Sequence, residues 1–216
     1  MKVTISKENY LKAIAEAEAE GEPVIAATLA RWLNVSPPAV TMALRRLKRD
    51  DCISIAQDGR ISLSAQGRTI ADRILRRHHL IERMLTEVFA MDWFKVHDEA
   101  EQMEHAVSAE FERLLTAKLG VEDACPHGNR AGLESALERR KRGWKPLAEA
   151  AVSERATVVS VYERDRTLLE RVDALGLAPG SRFTVLGLDP DGSLQLETNG
   201  RTASIGRPDA EKVWVA

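Results

Sequence analysis

The sequence predicts a mainly α-helical protein with a small β content, in three parts. A winged helix-turn-helix comes first, a helical unit occupies the middle, and a small β-barrel ends the chain. Three observations carry this. Two short helical segments meet at Asn34-Val35 and are followed by an alternating stretch with an Asp58-Gly59 turn. Apolar residues from Ile70 to Val88 repeat at helical spacing over about five turns. After residue 156, five short alternating runs are separated by turn sequences such as Asp191-Gly192 and Asn199-Gly200. The expected divisions are 1–73, 74–142, a linker at 143–153, and 154–216.

Composition narrows the class. The chain has 216 residues, 44% of them hydrophobic and 30% charged, as in globular proteins with a buried core. It holds no apolar run of about 18 residues, so no membrane span is expected. The start, MKVTISKENY, lacks the apolar stretch of a signal peptide. Two cysteines, Cys52 and Cys125, cannot build a disulfide scaffold. A cytoplasmic location is the expectation. The formal net charge of −2 conceals an uneven distribution: +4 over residues 1–77, −4 over 78–150 and −2 over 151–216. A basic first part suits nucleic acid, and an acidic middle suits a cation.

The elements follow in order. Ile5, Tyr10, Leu11 and Ile14 give a first helix its apolar face, and Gly21 ends it. A short helix at 26–33 leads to Ser36, an N-cap, and Pro37 at the first helical position. The helix that follows, to Arg49, turns Val40, Ala43, Leu44 and Leu47 inward and carries cations at its end. It has the pattern of a recognition helix, and the hairpin behind it that of a wing, with Arg60 near the tip to reach a phosphate or the minor groove. Ser64 caps a long helix reaching Phe89, whose stripe exceeds what a winged domain needs and suggests a dimer interface. Helices at 93–105 and 108–119, a loop at 121–132 and a short helix at 133–142 complete the middle. The run RRKR at 139–142 reads as a solvated charge patch, Cys52 as a small buried group, and CPHG at 125–128 as an ordinary loop.

The chemistry concentrates in the middle. In HDEAEQMEH, a helix would place His97, Glu101, Glu104 and His105 on one face, within an arc of about 100°. An apolar core cannot partner four such groups, whereas a divalent cation can. His78 and Glu82 form another pair four residues apart on the preceding helix. Imidazole with carboxylate suits Mn²⁺, Fe²⁺, Co²⁺, Ni²⁺ or Zn²⁺, and the absence of a thiolate among these six favours Mn²⁺ or Fe²⁺. Two neighbouring ion sites per subunit have enough ligands. A hydrolase or oxygenase is the alternative of another class, but HExxH is absent, as is a duplicated ExxH. A barrel binding proline-rich peptides would have few large aromatics beyond Trp214 and Phe183 to work with.

RRHHLIERMLTEVF (76–89) and KVHDEAEQMEH (95–105) closely resemble the diphtheria toxin repressor family of metal-dependent transcriptional regulators. The resemblance extends to SPPAVTMALRRLKRD (36–50), the CPHGN loop and LGLAPGSRFTVL (175–186), which resembles that family's C-terminal SH3-like, or FeoA-like, barrel. It implies a homodimer that binds palindromic double-stranded DNA operators and represses metal uptake genes when the ion is plentiful, with no small organic substrate. Carried over residue by residue, it implies that Ser36, Pro38, Ala39 and Met42, with Thr41 beside them, approach bases. Arg46 and Arg49 serve phosphates. His78, Glu82 and His97 match an ancillary ion site, to which Asp165 falls near. Glu101, Glu104 and His105 match the primary site, completed by Asn9. Glu101 stands where the iron-responsive pattern has Cys and the manganese-responsive one Glu, which favours Mn²⁺ over the alternative, Fe²⁺. Lys12 departs from the pattern, standing where short manganese-type proteins have a ligating Glu.

Overall fold

The computed structural model describes residues 3–120, 124–130 and 134–216. Helix α1 (Ile5–Ala19) starts where the Thr4 hydroxyl accepts a hydrogen bond from the Lys7 amide. It packs on α2 (Ala26–Trp32), α3 (Pro37–Arg49) and the hairpin β1 (Ile53–Ile55)–β2 (Ile61–Leu63), and buries Leu11, Ile14, Leu29, Val40, Leu47 and Ile61 in a first core. The hairpin pairs Ile53 with Leu63 and Ile55 with Ile61, as a wing should. Helix α4 (Ala65–Glu87) then leaves this core, with Ser64 Oγ accepting from the Gly67 amide at 3.1 Å. Gly67 is required there, since a Cβ would lie 2.0 Å from the carbonyl oxygen of Cys52.

A second core joins α4 to α5 (Val96–Met103) and α6 (Ala109–Leu119) through Ile81, Met84, Leu85, Val96 and Leu115. Helix α5 is shorter than the expected 93–105. Trp93 and Phe94 pack instead against the C-terminal core, with Trp93 Nε1 donating to Asp173 at 2.7 Å. At the other end Glu104 is the C-cap, and His105 lies beyond the helix. Helix α7 (Ala136–Lys141) opens on a capping box between Ser135 and Glu138. Leu133, and residues 121–123 and 131–132 of the expected loop, lie outside the described residues.

The stretch at 143–153 holds structure of its own. Strand β3 (Lys145–Pro146) pairs with β8 (Val213–Val215), and Leu147 is fully buried in the third core. Strands β4 (Arg155–Val161), β5 (Arg182–Leu188), β6 (Leu194–Thr198) and β7 (Arg201–Ile205), with α8 (Arg166–Ala174) after β4 and α9 (Arg207–Ala210) before β8, complete the chain. The expected closed, SH3-like barrel is not what forms. The sheet is open, in the order β3-β8-β4-β5-β6-β7, and its edge strands do not pair. β3 has two residues, and Pro146 has no N–H to donate, so this edge offers too little backbone for a closing ladder. Register shifts between Val158 and Ser160 and between Val185 and Gly187 mark local bending. Leu168, Leu169 and Val172 of α8 fill the core instead. Periodicity reports strands and turns; it does not report whether the first and last strands meet. Among the described residues, no helix is long and apolar enough to cross a membrane.

Candidate metal centre

A buried polar cluster lies where the three cores meet. Helical spacing puts His78 and Glu82 on one face of α4, and α5 packs across it with His97. His78 and Glu82 are completely buried, and His97 nearly so. His78 Nε2 lies 3.0 Å from both Glu82 Oε1 and His97 Nδ1, and His97 Nδ1 is 3.2 Å from Glu82 Oε1. On its other side His78 Nδ1 is 2.6 Å from Glu104 Oε2. This imidazole therefore joins two halves of the cluster.

Glu82 also faces the loop at 124–130. His127 Nδ1 is 3.4 Å from Glu82 Oε1 and 3.7 Å from Glu163 Oε2, and Cys125 Sγ is 3.5 Å from the same Glu163 oxygen. Asn129 Nδ2 donates to it at 2.6 Å. The loop is tightly fixed: the Cys125 amide donates to Asn129 O, the Gly128 amide to Cys125 O, and the Val161 amide to His127 O. Gly128 has φ +82°, and a Cβ there would sit 1.9 Å from Val159 O. The loop closes on β4 only because that side chain is missing.

Two groups of possible ligands result, one of His79, Glu82, Cys125 and Glu163 and one of His78, Glu82 and His97, each with ligand atoms within 4.8 Å of one another. They share Glu82. Glu82 Oε2, His127 Nε2 and both ring nitrogens of His79 are buried without a hydrogen-bond partner. Such atoms are costly in a protein interior, and a cation is the partner that carboxylate and imidazole lone pairs have in common. The donor set fits a divalent transition ion, with the thiol of Cys125 adding a softer ligand than the carboxylates.

Charge is strongly coupled here. Burial and the Lys12 ammonium oppose a charge on His78, but Glu82 and Glu104 outweigh them and push its pKa up to about 10. Burial likewise opposes ionisation of Glu104, yet its bond to His78 and the nearby Lys12 hold it at about 2. Glu82 is held well below the usual carboxylate range, its burial overcome by His78 and His127. Burial, with Glu82 and Glu163, pushes the Cys125 thiol well above its ordinary value. A pH dependence follows for the metal-free protein. His78 titrates higher when folded, so its contribution to stability is complete below its ordinary 6.5 and is lost as pH rises through about 10. Glu104 titrates lower when folded, so its contribution is present above 4.5 and is lost as pH falls toward 2. Denaturant unfolding in chelator should therefore show both contributions intact between pH 4.5 and 6.5 and losses on either side. A stability that climbs steadily from pH 7 to 10 would contradict this.

The other expected ligands are distributed more widely. Asn9 is half-buried and lines a cavity of about 190 Å³ with Lys12, Glu16, Trp32, Glu101 and Arg164. Glu101 lies 3.6 Å from His97 Nε2 and 3.7 Å from Lys12 Nζ. His105, beyond the end of α5, bonds Glu8 Oε2 at 2.8 Å and is 3.5 Å from Glu104. Asp165 is not brought to the cluster. It is the N-cap of α8, one oxygen accepting from the Leu168 amide and the other from Lys212, so Glu163, two residues earlier, takes the place by the imidazoles. Cys125 and His127 make the CPHG loop more than a connector, and Arg139 of the supposed charge patch is buried, bonding Glu20 and Asn129. Sequence spacing missed His79, Cys125, His127, Glu163 and Glu8. The adjacent pair His78-His79 and the C-x-H spacing were the available signals.

On the opposite side of the first core, α3 presents Ser36, Pro38, Ala39, Thr41, Met42, Arg46 and Arg49 to solvent. The Thr41 hydroxyl donates to Pro37 O, and Arg46 Nε to Met42 O. Arg60 is exposed at the wing beside Asp58.

Comparison with known proteins agrees along the chain. Residues 2–59 match the N-terminal DNA-binding domain of iron-dependent repressors, 64–131 their metal-binding and dimerisation domain, and 145–216 the FeoA domain. The diphtheria toxin repressor of Corynebacterium jeikeium is 33% identical over 196 residues, which cover 81% of this chain and 82% of that protein. Among solved structures, a manganese-dependent transcriptional repressor in complex with manganese superposes with a TM-score of 0.84 at 28% identity, covering 97% of this chain and 98% of that one. The manganese-activated repressor ScaR in its apo form gives 0.77 at 28% identity, covering 96% and 99%. With a winged helix, a buried ligand cluster and a C-terminal FeoA unit on one chain, this protein belongs to the iron-dependent, or diphtheria toxin, repressor family of metal-dependent transcriptional repressors, and is a regulator rather than an enzyme.

Proposed function

We propose that this chain is a Mn²⁺-activated repressor that binds palindromic operators of metal uptake and homeostasis genes as a homodimer. One observation carries the reading: a buried His/Glu/Cys cluster is assembled from the middle and C-terminal parts of the chain, and one member, Glu163, is followed by a residue that touches the DNA-binding unit. Arg164 Nη1 donates to Glu16 Oε2 of α1 at 2.7 Å, its Nη2 donates to Trp32 O at 3.3 Å, and its guanidinium stacks 4.8 Å from the Trp32 ring. An ion held by Glu163 biases where Arg164 sits, and Arg164 biases the winged unit. That is the differential contact a ligand needs to shift an equilibrium. Bound ions would be held by Glu82, Glu163, His78, His79, His97 and Cys125, with His127 beside them, and would neutralise carboxylates that now rely on imidazolium charge.

Exposed apolar residues support a second copy. Val88 and Phe89 after α4, and Phe111 and Leu114 on α6, are 40–65% exposed, more than a monomer surface gains by. Two recognition helices on a dimer meet successive major grooves about 34 Å apart, with Met42 and Ala39 placed for contacts to thymine methyl groups and Arg46, Arg49 and Arg60 for phosphates. The second reading is an iron(II)-dependent repressor. Cys125 favours it, because a thiolate suits Fe²⁺ better than Mn²⁺.

The decisive test is fluorescence anisotropy on an operator selected from random DNA, with Mn²⁺, Fe²⁺ or chelator at fixed salt, anaerobically. Mn²⁺ should tighten binding strongly and chelator reverse it. An equal or better response to Fe²⁺ selects the second reading, and tight binding that ignores every metal refutes both. Arg164→Ala should weaken operator binding at saturating Mn²⁺ by about 5- to 150-fold, the usual range of site-to-site coupling, with Mn²⁺ affinity reduced in parallel. Unchanged operator binding in that variant would remove Arg164 from the relay.

A further inference from the structure

Lys12 occupies the point where a cation is needed in the other half of the cluster. It is 3% exposed, a rare position for a lysine. Its Nζ lies 2.8 Å from Glu104 Oε2, 3.7 Å from Glu101 Oε1, 4.0 Å from Glu16 Oε1 and 3.0 Å from His78 Nδ1. Three carboxylates and an imidazole converging on one atom form a donor set for a hard divalent ion. Here an ammonium carried by the chain sits among them, and a protonated amine has no lone pair to offer a metal. Arg164 approaches the same carboxylates from the C-terminal part, 2.7 Å from Glu16 and 3.5 Å from Glu101. Lys12 and Arg164 together bring two positive charges, as many as one divalent ion. The Glu82 half is built differently. The charged partners described for Glu82 and Glu163 are imidazoles, which can give up a proton and ligate.

We infer that Lys12, supported by Arg164, is the resident cation of the Glu101–Glu104 half, so that this half takes no metal ion and the metal response resides on the Glu82–Glu163 half alone. The inference rests on the metal-regulator reading and deepens it. Helix α1 is fastened to α4 and α5 by a cation that is part of the chain itself, so this contact does not depend on the metal concentration. Asn9 and Glu101 then line the cavity around Lys12, His105 partners Glu8 and Glu104, and none of the three is a ligand. The part left for an ion to change is the meeting of α4 with the 124–130 loop and Glu163, and through Glu163 the seat of Arg164 on Glu16 and Trp32.

The test is metal content per chain after equilibrium dialysis of the full-length protein against excess Mn²⁺. Wild type is compared with Lys12→Ala, which opens the position, and with Lys12→Arg, which keeps the charge. Lys12→Ala should hold one Mn²⁺ more per chain than wild type, and Lys12→Arg the same number as wild type. Mn²⁺ should also raise the melting temperature of Lys12→Ala more than that of wild type, because only the variant lacks its cation. Should Lys12→Ala fail to fold without metal, Lys12→Gln, which keeps most of the length without the charge, is measured in the same way. Equal Mn²⁺ content in wild type and the neutral variants overturns the assignment of Lys12 while leaving the metal-regulator reading standing. Absence of bound Mn²⁺ from wild type and variants alike overturns that reading, and this inference with it.

Discussion

Replacing Glu82 by glutamine is expected to abolish metal-dependent operator binding. Glu82 is the ligand common to both groups of the cluster, is completely buried, and has one oxygen without any hydrogen-bond partner. Glutamine keeps the shape and one carbonyl oxygen but loses the charge that an ion requires. Loss of groups that merely support metal ligands already costs about 10- to 100-fold in affinity, so loss of the shared carboxylate should cost at least about 100-fold in Mn²⁺ affinity. The effect on DNA binding follows through Glu163 and Arg164. The metal-free protein should also lose stability, because His78 would keep only Glu104 as a charged acceptor. Calorimetric titration with Mn²⁺ and operator anisotropy on the same preparation read both effects. Wild-type Mn²⁺ affinity in Glu82→Gln would show that the cluster is an internal salt-bridge network with no ion to hold.

Gly128→Ala is the second large effect, and it acts on the fold. At φ +82° an alanine pays about 1–2 kcal/mol for left-handed backbone. Its Cβ would also lie 1.9 Å from Val159 O and 2.8 Å from Ser160 Cα, both backbone, so neither can rotate away. Overpacking of this kind adds about 1–3 kcal/mol. A loss near 3 kcal/mol by denaturant unfolding is expected, roughly the sum of the two. Mn²⁺ affinity should fall as well, since Cys125 and His127 sit on the displaced loop. Gly143→Ala separates the causes. Gly143 has a similar φ of +83° and nothing within 4 Å of a Cβ, so it should show the backbone cost alone. Equal losses at both positions would mean that the close approach to β4 contributes nothing.

What could be read from the sequence was local. Ser36 with Pro37, Asp58-Gly59 and Ser64 mark caps and turns within a few residues of themselves, and the first two helices, the recognition helix, the wing and the long helix form where those signals put them. His78 and Glu82 stood out because helical spacing places them on one face of α4, and His97 because it opens a run of ligand-type side chains at helical spacing. The rest depended on contacts between distant parts of the chain. A pattern of alternating strands is the same in an open sheet and in a closed one, and only the two-residue β3 edge decided for the open form. Cys125, His127 and Glu163 join the cluster because Gly128 lets one loop close on β4, an approach with no periodic signature. Asp165 and Glu163 look equivalent in a line of text, two carboxylates flanking Arg164. The strand-to-helix turn assigns one to cap α8 and the other to the imidazoles. The burial of Lys12 among three glutamates is likewise a tertiary fact, since a lysine on an amphipathic helix ordinarily points to water. Sequence by itself determined that His78, Glu82 and His97 carry chemistry on α4 and α5, and which helix has the pattern of a recognition helix. Packing decided which charges those residues meet, because a charge is stabilised by its three-dimensional neighbours and those come from segments as far apart as residues 12, 104 and 164.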